Sequence, residues 1–495
     1  MLASLILFTY YAALSVLVTL ALYRLLLTAV YLRRGEEPAS AALMEFPRVT
    51  VQLPVFNERY VVERLLRAAA ALDYPRDRFD IQLLDDSTDD SVEVAAAVIA
   101  ELEAQGVRVS QIRRDDRRGY KAGALNHGLQ QSESEFFAVF DADFVPDPAF
   151  LRRCIGYFSE SRVGMVQARW EHLNRRESLL TLAQAVLLDG HFVVEQTARA
   201  RSSRFLNFNG TAGVWRRETI VQAGGWSHDT LTEDLDLSYR AQLCGWQFRY
   251  LTGLAAPAEI PSDVASFKSQ QHRWAKGSIE CLRKLAPSVV RAERSVPIRG
   301  EGLMHLSANL GYPCLLLVSV LLPLVVWLRS SMQLPGATLV DLTLCALGCT
   351  AVWLFYWVSL ARTGIPALQR PALILWALVV DTGMAWHKAL AVFEALAGHR
   401  SGFVRTPKSG STDLQRSSML SRAYATSKLR DGLMELGLAC WSAVGVILAW
   451  QSGHGALPAM LFMAAFLVGY GYIGGLALHQ AWQAARGRRA LAAQA

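Results

Sequence analysis

The chain has 495 residues, 52% of them apolar, with a formal net charge of +7 and seven cysteines. The cysteines form no CxxC pair and show no pairing logic, so they read as small packing residues rather than a disulfide framework. Much of the excess Lys and Arg sits in loops beside strongly apolar runs, so membrane topology accounts for the charge and no nucleic-acid partner is expected.

Residues 1–23 carry no charge, and a helix that crosses a bilayer needs about 20 apolar residues. No basic segment precedes the run, it exceeds the apolar core of a signal peptide, and Arg24, Arg33 and Arg34 follow it. Residues 1–34 therefore read as a membrane anchor, not a cleaved leader.

A region of ordinary soluble composition, 46–285, comes next. "RVTVQLPVF" (48–56) reads as a strand and is followed by helical "ERYVVERLLRAAAAL". "FDIQLLDD" (79–86) is a second strand before helical "SVEVAAAVIAELEAQ", and "VRVSQI" is a third. "YKAGALNHGLQQ" then reads as a helix leading into the strand that opens "FFAVFDADFVPD" (136–147). This alternation predicts an α/β domain on a parallel, doubly wound sheet. Ligands bind outside the carboxyl ends of such strands. Polar and acidic residues stand at those ends: Asn57 and Glu58, then Asp85 and Asp86, then Asp141 and Asp143.

Asp141 and Asp143 lie two apart, so in extended backbone they point to one side. Two such carboxylates repel unless they share a cation. Hard oxygen ligands suit Mg²⁺ or Mn²⁺, with substrate phosphates completing the shell, and a metal-bound diphosphate is expected here. Lys121, with Arg117 and Arg118, can balance phosphate charge at the same edge. For Arg117 and Arg118 an ordinary basic loop is the preferred reading.

"DTLTEDLDLSYRAQLCGW" (229–246) is helical after a polar start. Thr230 and Glu233 fit a capping box, with acids complementing the helix dipole. Asp234 is the additional acid. The dipole lowers its pKa, whereas a general base needs a poised one, and burial near other carboxylates supplies an offset. In "KSQQHRWAKGS" (268–278), Gln270, Arg273 and Trp274 share one helical face. Together they suit clamping a phosphate and stacking a sugar ring. Taken alone, the segment also fits a basic amphipathic helix lying on a membrane.

The remaining apolar runs predict four more spans, at about 306–328, 340–361, 433–451 and 456–478. Segment 286–370 holds an interfacial stretch and spans two and three, and 432–495 holds spans four and five with a basic tail. Arg33 and Arg34 put the end of the first span inside, and Arg486, Arg488 and Arg489 do the same for the C-terminus. Five spans satisfy the charge rule at every connection and make the soluble domain cytosolic. Within 371–431, residues 371–397 carry Asp381, His387, Lys388 and Glu394, which interrupt the apolar run. This segment reads as a re-entrant or interfacial amphipathic helix.

Taken together, "LLDD", "DAD", "TED" and "QQHRW" resemble the D, D, D, QxxRW signature of membrane-embedded family 2 glycosyltransferases with a GT-A fold, which include cellulose, chitin and hyaluronan synthases. "DDSTDD", "GYKAGALNHGL", "FNGTAGVWRRETIVQAGGW" and "TEDLDLSYRAQLCGWQFRYL" resemble the glucomannan synthase-like branch. The resemblance implies that Asp85 and Asp86 bind the nucleotide, with Phe56 against the base and Glu58 beside it. It implies that Asp141 and Asp143 hold the metal and diphosphate, that Lys121 contacts phosphate, and that Asp234 is the catalytic base. Gln270 and Arg273 would grip the pyrophosphate and Trp274 would stack under the acceptor sugar. "FNGT", with Phe208, Asn209, Gly210 and Thr211, corresponds to the acceptor-side motif. "FVRTPK" (403–408) resembles the FxVTxK gating loop of cellulose synthase through Phe403, Thr406 and Lys408, departing from it at Arg405.

The expectation is a multi-pass integral membrane enzyme, in the cell inner or plasma membrane if the source is bacterial, with its catalytic domain cytosolic. It would be an inverting transferase that uses a UDP- or GDP-linked sugar to elongate a β-linked glycan such as a mannan, glucomannan or glucan. The gating-like loop and five spans favour processive synthesis with translocation. A non-processive transferase acting on a membrane lipid such as ceramide shares the same motifs. A nucleotide-sensing transporter or scaffold is disfavoured, because a sensor needs neither Asp234 nor Trp274.

Overall fold

The computed structural model describes residues 1–33, 40–41, 45–332, 337–399, 429–453 and 456–492. The gating-like loop with Phe403, Thr406 and Lys408 lies outside the described residues.

Among the described residues the strands are β1 (Val49–Val55), β2 (Phe79–Asp85), β3 (Val109–Ile112), β4 (Phe136–Val139), β5 (Val163–His172), β6 (Gly213–Arg216) and β7 (Gln247–Ala258). They form one sheet in the order β3-β2-β1-β4-β6-β5-β7. β1 lies between β2 and β4 and its side chains are almost all buried. It has helices on both faces, so it reads as an apolar run rather than an alternating one. Its one buried amide, Gln52, donates to Gln82 at 3.1 Å.

The first four strands are parallel, as the β-α alternation predicts. The second half of the sheet departs from that expectation. β6 runs antiparallel to both β4 and β5. The reason is local: the chain enters β6 from the loop at the carboxyl end of β4, with Gly213 opposite Val139, and must run back. Helices Val62–Ala70 and Ser91–Ala104 pack on one face of the sheet. Helices Tyr120–Gln130 and Glu233–Leu243 pack on the other. The chain leaves β1 towards β2 and β3 and returns to β4 on the opposite side. The crevice between β1 and β4 is therefore the topological switch point.

Five described helices are long and apolar enough to cross a membrane: Leu2–Arg33, Val296–Met332, Leu339–Arg362, Arg430–Gln451 and Leu457–Arg486. All five outrun the charge-free stretches that announce them. The first continues past Arg24, whose guanidinium lies 3.7 Å from Glu195 and 5.6 Å from the Phe355 ring centre. Segment 371–397 forms two helices, Arg370–Gly383 and Ala385–Leu396, bent by 49°.

The charges that interrupt this segment are all engaged. Lys388 lies 2.7 Å from Asp381 and donates to the Tyr312 hydroxyl at 2.8 Å. Glu394 meets Lys276 at 3.0 Å and His272 at 3.1 Å. Ala391, Val392 and Ala395 pack on Ala275 and Ile279 of the long helix Val264–Arg291, termed here the signature helix. His387 lies tilted against His272, with ring centres 5.3 Å apart. Glu394 and His387 thus dock the bent segment on the signature helix, while the Lys388–Asp381 pair ties it to Tyr312 of the second membrane helix.

Candidate active site

A single cleft opens at the switch point. Phe56 and Glu58 line it from the loop after β1, Asp86 from the end of β2, Lys121 from helix Tyr120–Gln130, and Asp141 and Asp143 from beyond β4. Asn209, Gly210, Asp234, Gln270, Arg273 and Trp274 line it as well. Three expected site residues sit behind this lining instead. Asp85 is buried and accepts from Gln111 at 2.7 Å and from the Ser87 amide at 2.9 Å. Phe208 is in the core against Trp215, and Thr211 is fully buried.

β4 ends at Val139, and the amide of Phe144 donates to the Asp141 carbonyl at 3.1 Å. Asp141 and Asp143 therefore lie on a turn, not in extended backbone, although both still line the cleft. The Asp141 amide donates to Thr211 Oγ1 at 2.8 Å. The "FNGT" loop thereby braces the turn that carries the acids. The Phe208 amide donates to Ser238 Oγ at 2.8 Å, tying the same loop to helix Glu233–Leu243.

The capping box expected for that helix does not form. Its first residue is Glu233, and Thr232 at the cap makes no side-chain capping bond. Glu280 accepts from the Leu231 amide at 2.8 Å instead. Glu233 and Asp234 are left to line the cleft side by side. Burial, and then the neighbouring Glu233 charge, push the Asp234 carboxyl up to about 7, against the pull of Lys121 and of backbone amides. Burial raises Glu233 as well. Lys121 stays charged: burial disfavours its ammonium, but Asp141, Glu233 and Asp234 hold its pKa above the usual lysine value.

Sequence patterning undervalued Arg117. Its guanidinium lies in the cleft, 3.3 Å from the centre of the Phe56 ring. Its neighbour Arg118 is exposed, as expected of a loop. The cue available in the sequence is Phe56 itself, an aromatic ring at a strand end that a guanidinium can cover. Two further lining residues, Trp170 and His172, stand at the end of β5, where strand periodicity alone carries no signal. Burial, together with Arg175 and Arg169, lowers the His172 imidazole to about 3, so it is neutral at physiological pH.

Residues 47–277 match the family model described as "Glycosyltransferase like family 2". The chain is 35% identical over 443 residues to glucomannan 4-beta-mannosyltransferase 1 of Oryza sativa subsp. japonica, covering 87% of this chain and 83% of that protein. It is 45% identical over 254 residues to glucomannan 4-beta-mannosyltransferase 2 of Arabidopsis thaliana, covering 50% of this chain and 48% of that protein. The chain belongs to the family 2 glycosyltransferases. A solved structure of the same fold is the mannosyltransferase PcManGT from Pyrobaculum calidifontis in complex with GDP-Man and Mn2+. Its TM-score is 0.55 at 18% identity, covering 79% of this chain and 99% of that one. The mixed sheet of this glycosyltransferase is accordingly a GT-A fold.

Among the described residues no group of three or more His, Cys, Asp or Glu side chains is arranged to hold a metal ion alone. Two carboxylates lining one cleft are what a Mg²⁺- or Mn²⁺-phosphate site requires of the protein. The Lys121 ammonium already seated on Asp141 marks the wall as a place that holds positive charge. The donor set of this glycosyltransferase therefore fits such an ion. The signature helix supplies the opposite wall with Gln270, Arg273 and Trp274.

Proposed function

We propose that this glycosyltransferase elongates a β-linked mannan or glucomannan by inverting transfer of mannose from GDP-mannose. The observation that carries this reading is the convergence on one cleft of Asp141 and Asp143, Asp234, and the Gln270–Arg273–Trp274 face. Relatives named as glucomannan 4-beta-mannosyltransferases supply the sugar and the polymer. The solved mannosyltransferase of the same fold makes GDP-mannose the donor to test first.

In this reading the stacked Phe56–Arg117 pair lies against the nucleotide base, with Glu58 and Asp86 beside it. Lys121, Gln270 and Arg273 hold the diphosphate; Asp141 and Asp143 would hold a divalent ion, which would supply charge screening to the leaving group. Trp274 stacks under the acceptor sugar, with Asn209 and Gly210 alongside. Asp234 takes the proton from the acceptor hydroxyl. That oxygen then attacks the anomeric carbon in line, the bond from that carbon to phosphate oxygen breaks, and the nucleoside diphosphate departs. One displacement converts an α-linked donor into a β-linked product.

Loop charge supports a cytosolic catalytic domain, and the gating-like sequence 403–408 suits a polymer that is passed across the bilayer. The test is purified protein in detergent, supplied with labelled GDP-mannose or UDP-glucose. Release of GDP with an alkali-insoluble product that β-mannanase digests is the expected result. A single-sugar product soluble in organic solvent would instead establish a lipid acceptor.

A further inference from the structure

Asn209 lines the cleft next to Gly210, whose missing Cβ would lie 3.1 Å from Asp234 Oδ2. Two hydrogen bonds fix the orientation of the Asn209 amide, and a third orients the Gln196 that makes one of them. Gln196 Nε2 donates to the Asn207 carbonyl at 2.8 Å and to Asn209 Oδ1 at 2.6 Å. With its oxygen so occupied, Asn209 turns Nδ2 to His191 Nε2, 3.1 Å away. An amide nitrogen only donates, so Nε2 of His191 accepts and the ring proton sits on Nδ1. Nδ1 in turn donates to Glu195 Oε2 at 3.1 Å.

The chain continues into the membrane half. Glu195 faces Arg199 at 3.5 Å and Arg24 of the first span at 3.7 Å. Arg199 also donates to the Tyr23 hydroxyl at 2.9 Å and to Glu301 at 3.0 Å. His191 and Glu195 sit on a π-helical turn, Gly190–Glu195, an irregularity frequent at functional sites. The second N–H of Asn209 remains for the cleft.

We propose that His191 is a positioning residue for the acceptor: it holds the Asn209 amide with one N–H presented to a hydroxyl of the acceptor sugar, in a register set by the first span. The proposal rests on the glycan-elongating reading, and it goes beyond the "FNGT" motif by assigning the imidazole that orients it. Without an acceptor at Nε2, the Asn209 amide loses the bond that fixes its second N–H and is free to rotate. The loss falls on acceptor binding and leaves the donor side in place.

The experiment measures acceptor KM, donor KM and kcat with a short β-linked manno-oligosaccharide and GDP-mannose. His191→Ala raises acceptor KM about tenfold or more, the size expected when a binding group is misplaced by a fraction of an ångström. Donor KM and GDP affinity change less than about twofold, within about 0.4 kcal/mol. His191→Gln, whose terminal oxygen reaches as far as Nε2 and accepts from Asn209, restores acceptor KM to within about threefold, about 0.7 kcal/mol. Because the two residues act as one unit, His191→Ala in an Asn209→Ala background adds no further loss.

Equal rises in both KM values, additive losses, or an unchanged acceptor KM overturn the proposal. If His191→Ala does not fold, His191→Gln beside the single Asn209→Ala variant still decides it: the proposal holds if Asn209→Ala raises acceptor KM while the glutamine variant keeps it within about threefold, and fails otherwise. A wild-type enzyme that mannosylates only lipid overturns the polymer reading instead, and the same KM split, read with that lipid acceptor, then decides the role of His191.

Discussion

Lys121 Nζ lies 2.5 Å from Asp141 Oδ1 and 2.8 Å from the Gly210 carbonyl oxygen. One ammonium thus joins the acid turn after β4 to the acceptor-side loop. In the proposed donor pose the diphosphate would meet this side chain, where a positive charge beside a divalent ion would be useful. Lys121→Ala is therefore expected to weaken nucleotide binding at least about tenfold, or about 1.4 kcal/mol, by calorimetry. Turnover should stop in excess EDTA and return with Mg²⁺ or Mn²⁺, and Asp143→Asn should weaken donor binding as well as rate. Full turnover in chelator would refute the metal assignment.

The poised carboxyl of Asp234 gives a pH signature. As the base it must be ionised, so kcat/KM should rise with pH through about 7 and level off above it. Asp234→Asn should abolish that limb and lower kcat by roughly 10²–10⁴-fold while GDP binds nearly as before.

Stability moves the opposite way. The folded protein holds the Asp234 proton up to about 7, whereas a free aspartate carboxyl loses it near 3.8, so ionising Asp234 costs the fold stability as pH rises through that window. Asp234→Asn should therefore melt higher than wild type at pH above 7 and show little difference near pH 4. A variant that melts lower at high pH would mean that the carboxylate is structurally needed.

Gly277 tests the packing that sets the distance between the signature helix and the base. A Cβ there would lie 2.5 Å from Thr232 Cγ2, at the root of the helix that carries Asp234. Gly277→Ala gains about 1 kcal/mol of helix propensity but overpacks this contact by about 1–3 kcal/mol. Overpacking should win, with lower turnover and a lower melting temperature. A more stable, fully active variant would show that the two helices have room to separate.

Topology can be read with cysteines. Cys244 is exposed on the catalytic domain, and Ser452 sits at the hairpin between the last two spans. With the other cysteines replaced, Cys244 should react with an impermeant maleimide only after cells are opened. Ser452→Cys in a Cys244→Ala background should react in intact cells. The reverse pattern would invert the orientation.

Most of the fold could be read from the sequence because its signals are strong ones. These are apolar runs such as Val49–Val55, spans free of charge, and acids at strand ends. The antiparallel β6 escaped because its short "GVWR" carries no sign of direction, which only pairing with Val139 supplies. The turn at Asp141–Phe144 escaped because strand propensity extends one step beyond the last ladder partner. Arg117 escaped for a different reason: a basic loop residue looks solvated until the ring it covers is known. His191 lay in an apolar helical stretch, where nothing marks one imidazole as bonded to a loop eighteen residues away.

The signature helix has one further consequence. Its first turn is held by Lys268 on Glu435, 2.6 Å apart and both buried, and by the Val264 amide on Gln480 at 3.0 Å, residues of the last two membrane helices. Its middle is held by Glu394 of the bent segment. The wall of the cleft that carries Gln270, Arg273 and Trp274 is thus cantilevered from the bilayer. A catalytic fragment cut away after this helix would keep every signature residue and lose its abutments. For the same reason acyl-chain length and detergent become kinetic variables: a hydrophobic mismatch that tilts the last two helices moves the cleft wall that carries Gln270, Arg273 and Trp274.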